Sequence, residues 1–301
     1  MRNKFLSHAS GVPRRMLVLA LALMMPLALA SSALATEPTG AFAVFKHCPL
    51  KNPATKACLF AQTESGEFKI KTTTVPIVNT ITLQGGLPET GGDETPIAPE
   101  NAEALSKTPQ PVPGGLLNLI KCKEIKGEQI LEKLARQACE AVFEKGPLGL
   151  NATAELVGLP TVNQTNLILE EGVALKLPIR VHLENSLLGP ECYVGSPTNP
   201  IILNLTTGTT SPPPPNKPIK GSSGEVEGSE EGNLLTVKHN SLVDNAWAAP
   251  VATGCGGAFG FLINPIVNAK LGLPSAAGNN TAILNGTLRI ATREGVEKSE
   301  K

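Results

Sequence analysis

The chain is 301 residues long and carries 26 Lys+Arg against 26 Asp+Glu, a formal net charge of +0 at pH 7. A balanced charge offers no electrostatic footprint for nucleic acid or anionic lipid. Aromatic residues make up only 3% of the chain, with one Trp and one Tyr, which argues against a stacked-ring carbohydrate platform.

Residues 1–35 read as an export signal. Arg2, Lys4, Arg14 and Arg15 form a basic start, and Met16–Ala30 is an apolar run too short to span a bilayer comfortably. Ala33-Leu34-Ala35 supplies the small-x-small pattern that signal peptidase reads, so cleavage is expected before Thr36. The Arg14-Arg15 pair fits an ordinary basic start better than a twin-arginine signal. Removing this segment leaves 22 Lys+Arg against 26 Asp+Glu, a net charge of −4. No later stretch is apolar for long enough to cross a membrane, so no stable insertion is expected after cleavage.

Beyond Thr36 the predicted elements are mostly strands. Short apolar runs occur at Phe42–Phe45 and Leu59–Ala61, followed by alternation at Val75, Ile77, Ile81 and Leu83. Gly85–Gly115, rich in Pro, Gly and Glu, reads as a mobile loop. Within it, Leu87-Pro88-Glu89-Thr90-Gly91 spells a sortase signal. A working signal sits close to a C-terminus with an apolar stretch and basic tail behind it, and neither follows here, so the match is read as a turn. From Gly127 to Phe143, Leu131, Leu134, Ala138 and Val142 fall on one stripe of a predicted helix, which Gly146-Pro147 stops.

Leu150, Ala152, Ala154 and Leu156 alternate again. The clearest strand follows: Val173, Leu175, Leu177, Ile179, Val181 and Leu183 face a core while Lys176, Arg180, His182 and Glu184 face water. Pro178 lacks an N–H, which predicts a sheet edge or a bulge at this point. Ile201, Leu203 and Leu205 continue the pattern. A second mobile loop is expected at about 207–232, built around the run Ser211–Gly232 with its four consecutive prolines. Leu235 and Val237, a weaker helix at Phe261–Leu271, and Leu284, Leu288 and Ile290 complete the reading.

The six cysteines all lie after residue 35, and an even count in an exported chain reads as disulfides. Of fifteen connectivities, Cys48–Cys58, Cys122–Cys139 and Cys192–Cys255 is favoured, because the first two pairs close short local loops and the third remains. The expected fold is mainly β: an antiparallel β-sandwich spanning 36–301 as a single domain, with one inserted disulfide-stapled helix and two long mobile loops.

Few residues offer chemistry. His47, His182 and His239 are the histidines after residue 35, and Asp93 and Asp244 the aspartates. No G-x-S-x-G elbow occurs, and paired cysteines leave no thiol nucleophile, so no catalytic, cofactor or metal residues are assigned. Scarce Asp excludes Asp-rich calcium loops, and the cysteine spacings lack CxxC. Glu170-Glu171 and the His182, Glu184 pair read as solvated surface before they read as acid and base. Tyr193 follows Cys192 and Trp247 precedes Cys255, so a bridge would bring the two rings together as a recognition patch. Asn151, Asn163, Asn204, Asn279 and Asn285 each begin an N-x-Thr triplet, a glycan acceptor only in a eukaryotic secreted chain.

Two passages, "FKHCPLKNPATKACLFAQTESGEFKI" and "ECYVGSPTNPIILNLTTGTTSPPPPNKPI", resemble uncharacterised secreted proteins of high-GC Gram-positive bacteria. The resemblance covers most of the chain after residue 35 and implies a bacterial source, with no activity attached. The expected role is structural or binding, non-enzymatic, without cofactor, toward an extracellular or cell-surface partner. A secreted hydrolase using Glu and His, and a carrier with an apolar cavity between its sheets, are the alternatives.

Overall fold

Alternating apolar and polar side chains build the long strands, and the apolar sets of two sheets meet in one core. The structure, a computed structural model, describes residues 37–88, 92–117, 129–141, 148–229 and 231–300. The export signal, Glu89–Gly91 and Cys122 lie outside the described residues. The first sheet starts with β1 (Ala57–Ile70), β2 (Thr73–Pro76) and β3 (Ile81–Leu87). The chain then crosses to the second sheet for β4 (Asp93–Glu94), β5 (Gln110–Pro111), β6 (Asn151–Leu156), β7 (Thr161–Asn163), β8 (Leu175–Glu184), β9 (Tyr193–Val194) and β10 (Ile201–Leu205). It returns for β11 (Glu225–Gly228) and β12 (Leu234–Asp244), crosses again for β13 (Ala252–Thr253), and ends the sheets with β14 (Asn280–Thr292).

The first sheet has the order β11-β12-β14-β1-β2, with β3 also on β1. The second has the order β13-β9-β8-β6-β5, with β10 and β7 on β8 and β4 on β7. All of these pairings are antiparallel. The protein is therefore mainly β, with two antiparallel sheets packed as a sandwich. Leu59, Leu83, Val237, Ala282, Leu284 and Leu288 of one sheet share a core with Leu177, Ile179, Leu183, Ile201, Leu203 and Leu205 of the other. Fully burying such a leucine or isoleucine contributes about 1.5–3 kcal/mol.

Strand β8 corrects the expectation drawn from Pro178. It is an internal strand, with β10 on one side and β6 and β7 on the other. β6 ends opposite Ile179 and β7 begins opposite Lys176, so the missing N–H falls in the gap between them. The Pro178 carbonyl still accepts from the Val157 N–H at 3.0 Å.

Where β1 bulges between Thr63 and Ser65, its backbone presses on β14. A Cβ at Gly286 would lie 1.8 Å from the Gln62 carbonyl oxygen, which is why that position carries none.

Four α-helices are described: α1 (Gln129–Cys139), α2 (Gln164–Leu169), α3 (Gly260–Leu271) and α4 (Arg293–Ser299). α1 departs from its predicted packing. Leu134 and Ala138 of the expected buried stripe are exposed. The predicted strand at Phe42–Phe45 is also corrected, because Gly40–Phe45 forms a 3₁₀ turn. Phe42 and Phe45 stand three residues apart, the period of that helix, and pack with Val296 of α4 beside the Cys48–Cys58 disulfide. The Cys192–Cys255 disulfide is also formed. The third expected bridge lies outside the described residues, because Cys122 does.

Both expected loops are tied down more than their composition suggests. β3 runs three residues into the first, and Leu87 is fully buried at its end. The following segment then lies along the free side of β3. Gly86 and Ile97 exchange two backbone hydrogen bonds, the Gln84 N–H donates to the Ala104 carbonyl, and the Ser106 N–H donates to the Thr82 carbonyl. A Cβ at Gly85 would meet the Ile97 carbonyl oxygen at 2.6 Å, so only glycine admits this close approach.

The second loop is held by side chains that supply the partners a Pro/Gly tract cannot supply for itself. The Asn216 amide donates to the Asn245 and Asn280 carbonyls. Asp244 accepts from the Asn204 and Ala246 N–H groups, joining β12 to β10 across one sandwich edge. Burial raises its carboxyl above the ordinary range, and those two N–H donors oppose the shift. Glu170 accepts from the backbone N–H and hydroxyl of Ser223 and pairs with Lys220 at 2.9 Å.

The Ser223 N–H and then Lys220 hold the Glu170 carboxyl down from 4.5 to about 2. A depressed carboxylate contributes stability above its unfolded value, and that contribution is lost as pH falls through the folded one. Protection of the Ser223 amide from hydrogen exchange should therefore fall as pH drops from about 4.5 to about 2, and Glu170→Gln should remove that dependence. An unchanged pH profile in the variant would mean the carboxylate does not hold the loop.

Candidate functional site

An apolar groove opens at one end of the sandwich, and α3 forms its wall. Asparagines place this helix. The Asn264 side-chain oxygen accepts the Cys255 N–H, and the Asn268 amide exchanges two hydrogen bonds with the backbone of Ala252 in β13. β13 pairs with β9, and the Cys192–Cys255 bridge fixes the start of the turn that leads into α3. Gly272 ends the helix in the left-handed conformation, with its N–H on the Asn268 carbonyl.

α3 is apolar on more than one face. Ile263, Val267 and Leu271 recur at helical spacing and line a groove of about 210 Å³ with Leu116, Leu150 and Leu188. Phe259, Leu262 and Ile266 form a second stripe that faces water. Ile266 is 56% exposed and Leu187, across the groove, is 61% exposed, so the rim itself is apolar.

The groove leads inward. Thr73, Val112, Leu150, Leu183 and Leu271 line both the groove and a cavity of about 70 Å³ between the sheets. Phe68, Ile81, Ala154, Ile179 and Leu203 line both that cavity and a second of about 70 Å³. Interiors normally pack with few voids larger than a water molecule. A cavity that admits several waters but is walled mostly by apolar side chains suits an apolar occupant better than water.

The expected pairing of Tyr193 with Trp247 is corrected. The two rings lie on opposite faces of the second sheet. Trp247 is 4% exposed and lines the first inner cavity, and its indole N–H has no acceptor among the described residues. Tyr193 is opposite His182 on the outer face and stacks on it with ring centroids 4.5 Å apart. The Arg180 guanidinium sits 3.8 Å over the same ring and donates from two nitrogens to Glu155 Oε2, at 3.0 and 2.8 Å. β-strand alternation dictates the split, because Tyr193 shares the face of Arg180 and His182 while Val194 turns inward.

His182 and Glu184 are brought together on that outer face, but not as acid and base. The imidazole Nδ1 is 3.7 Å from Glu184 Oε1, beyond hydrogen-bond range, and the carboxylate accepts from Thr153. His47 donates to the Glu100 carbonyl, while His239 stands 79% exposed beside Glu225. Glu170 serves the loop latch, and its neighbour Glu171 is exposed. Among the described residues no three His, Cys, Asp or Glu side chains gather as a metal site. Asn163 of one N-x-Thr triplet caps α2 and bonds Asp93.

Fold and site define a disulfide-stapled β-sandwich with an apolar groove at the α3 end. No family model, curated protein or solved structure matches the chain. The groove was not foreseen from the sequence, although its helix was. The available signal was two asparagines four residues apart on a helix that, apart from them and Lys270, is apolar all round.

Proposed function

We propose that this chain is an exported binding protein, acting without catalysis in the medium or at the cell surface, that holds an apolar molecule between its two sheets. The observation that carries this reading is the run of apolar cavities, each sharing a wall with the next, from the α3 groove into the core. Ligand sites are concave and mostly apolar, which this run satisfies and the shallow His182 face does not. Export rests on the segment before Thr36 and fits the two disulfides.

Calorimetric titration with a series of linear 1-alkanols tests the reading. Each added methylene that is buried should tighten binding about fourfold, until the chain fills the available depth. Leu271→Trp, placed in the wall between groove and first cavity, should make that plateau come at a shorter chain. Absence of saturable binding across the series would defeat the proposal and leave a purely structural role.

A further inference from the structure

We infer that the occupant is an anionic single-chain amphiphile, such as a long-chain carboxylate, whose head group rests on Lys270 at the groove rim while its tail enters between the sheets. This rests on the apolar-ligand reading above and adds the chemistry of the head. Lys270 lies on α3 between Val267 and Leu271, both of which line the groove, and is itself part of the lining. It is the one ionisable residue among those that line it, and no carboxylate pairs with it among the described residues. The nearby Lys71 is engaged, with its ammonium donating to the Pro274 carbonyl at 3.4 Å.

A lysine in the last turn of a helix also complements the negative end of the helix dipole, and that alone would explain its presence. What adds a ligand is the site of the charge. The ammonium stem borders an apolar groove with no acid in its lining, so an incoming carboxylate meets attraction at the rim and no repulsion below it. A cationic head would meet the opposite field, and a neutral head neither.

The head is tested separately from the tail. Dodecanoate, 1-dodecanol and dodecylammonium share one chain length and differ only in charge. Titrated calorimetrically into the disulfide-intact chain at neutral pH and low salt, dodecanoate should bind up to about fivefold tighter than dodecanol, and dodecylammonium more weakly than either. Lys270→Gln should bring dodecanoate to the affinity that dodecanol has in the same variant, and Lys270→Glu should reverse the order of the two ions. Lys270 is exposed, so neither variant threatens folding. Equal affinity for dodecanoate and dodecanol in the wild type, or a preference that survives in Lys270→Gln, would overturn this assignment while the apolar reading stands. Failure of all three amphiphiles to bind would overturn both.

Discussion

Replacing Cys192 and Cys255 together by alanine should lower stability by about 4 kcal/mol, a larger loss than any single surface change would give. The two residues are 63 apart in sequence, so the bridge removes much of the freedom of a long unfolded loop. Cys48 and Cys58 are only 10 apart, and their removal should cost about 3 kcal/mol on the same reasoning. Urea unfolding of the two double variants, followed by circular dichroism, measures both. The order matters more than either value. The long bridge also anchors the approach to α3, so its loss should weaken alkanol binding, while loss of the short bridge should not. Equal midpoints for wild type and the Cys192, Cys255 variant would show that the sheet network alone holds that end.

Trp247→Ala should cost about 3–5 kcal/mol, the usual range for deleting a large aromatic side chain from a core. Trp247 is 4% exposed and lines the first inner cavity, so the deletion joins new space to space already present. Trp247→Phe should cost far less, because the indole N–H it removes bonds to nothing among the described residues. The alanine variant should also accept longer alkanols before affinity levels off. Thermal or urea unfolding gives the first result and calorimetry the second. A phenylalanine variant as unstable as the alanine one would mean that the N–H has an acceptor.

The strands of this fold were readable because one face of each sheet is buried and the other wet. β8 and β14 show it best, with burial alternating along most of their length. The outcome at Pro178 was not readable, because residue composition does not reveal which neighbours a strand acquires. A proline can sit inside a sheet when one flanking strand hands over to another at that residue. The 3₁₀ turn at Gly40–Phe45 escapes the sequence for a related reason: the four-residue run Phe42–Phe45 is too short to separate period two from period three.

α4 left a signal that went unread. Thr292 caps it by accepting from the Gly295 N–H, and Arg293–Glu297 and Glu294–Lys298 pair at four-residue spacing. At the site, the sequence placed α3 and the Cys192–Cys255 bridge but not the groove between them. The exposure of Ile266 and Leu187 depends on which elements stop short of covering them, and no local pattern carries that information.

The segment that follows β3 has a bearing on how such a chain behaves in company. β3 borders the first sheet, and an uncovered border of that kind is a template on which another molecule's strand can polymerise. By bonding Thr82, Gln84 and Gly86 itself, the stretch from Ile97 to Ser106 occupies the positions an intruding strand would take. At the opposite border, β11 is exposed throughout and carries Glu225 and Glu227, of which Glu227 pairs with Lys238 of β12. A β-rich chain built in this way occupies one border of its first sheet with its own backbone, and it does so with a stretch whose composition reads as filler.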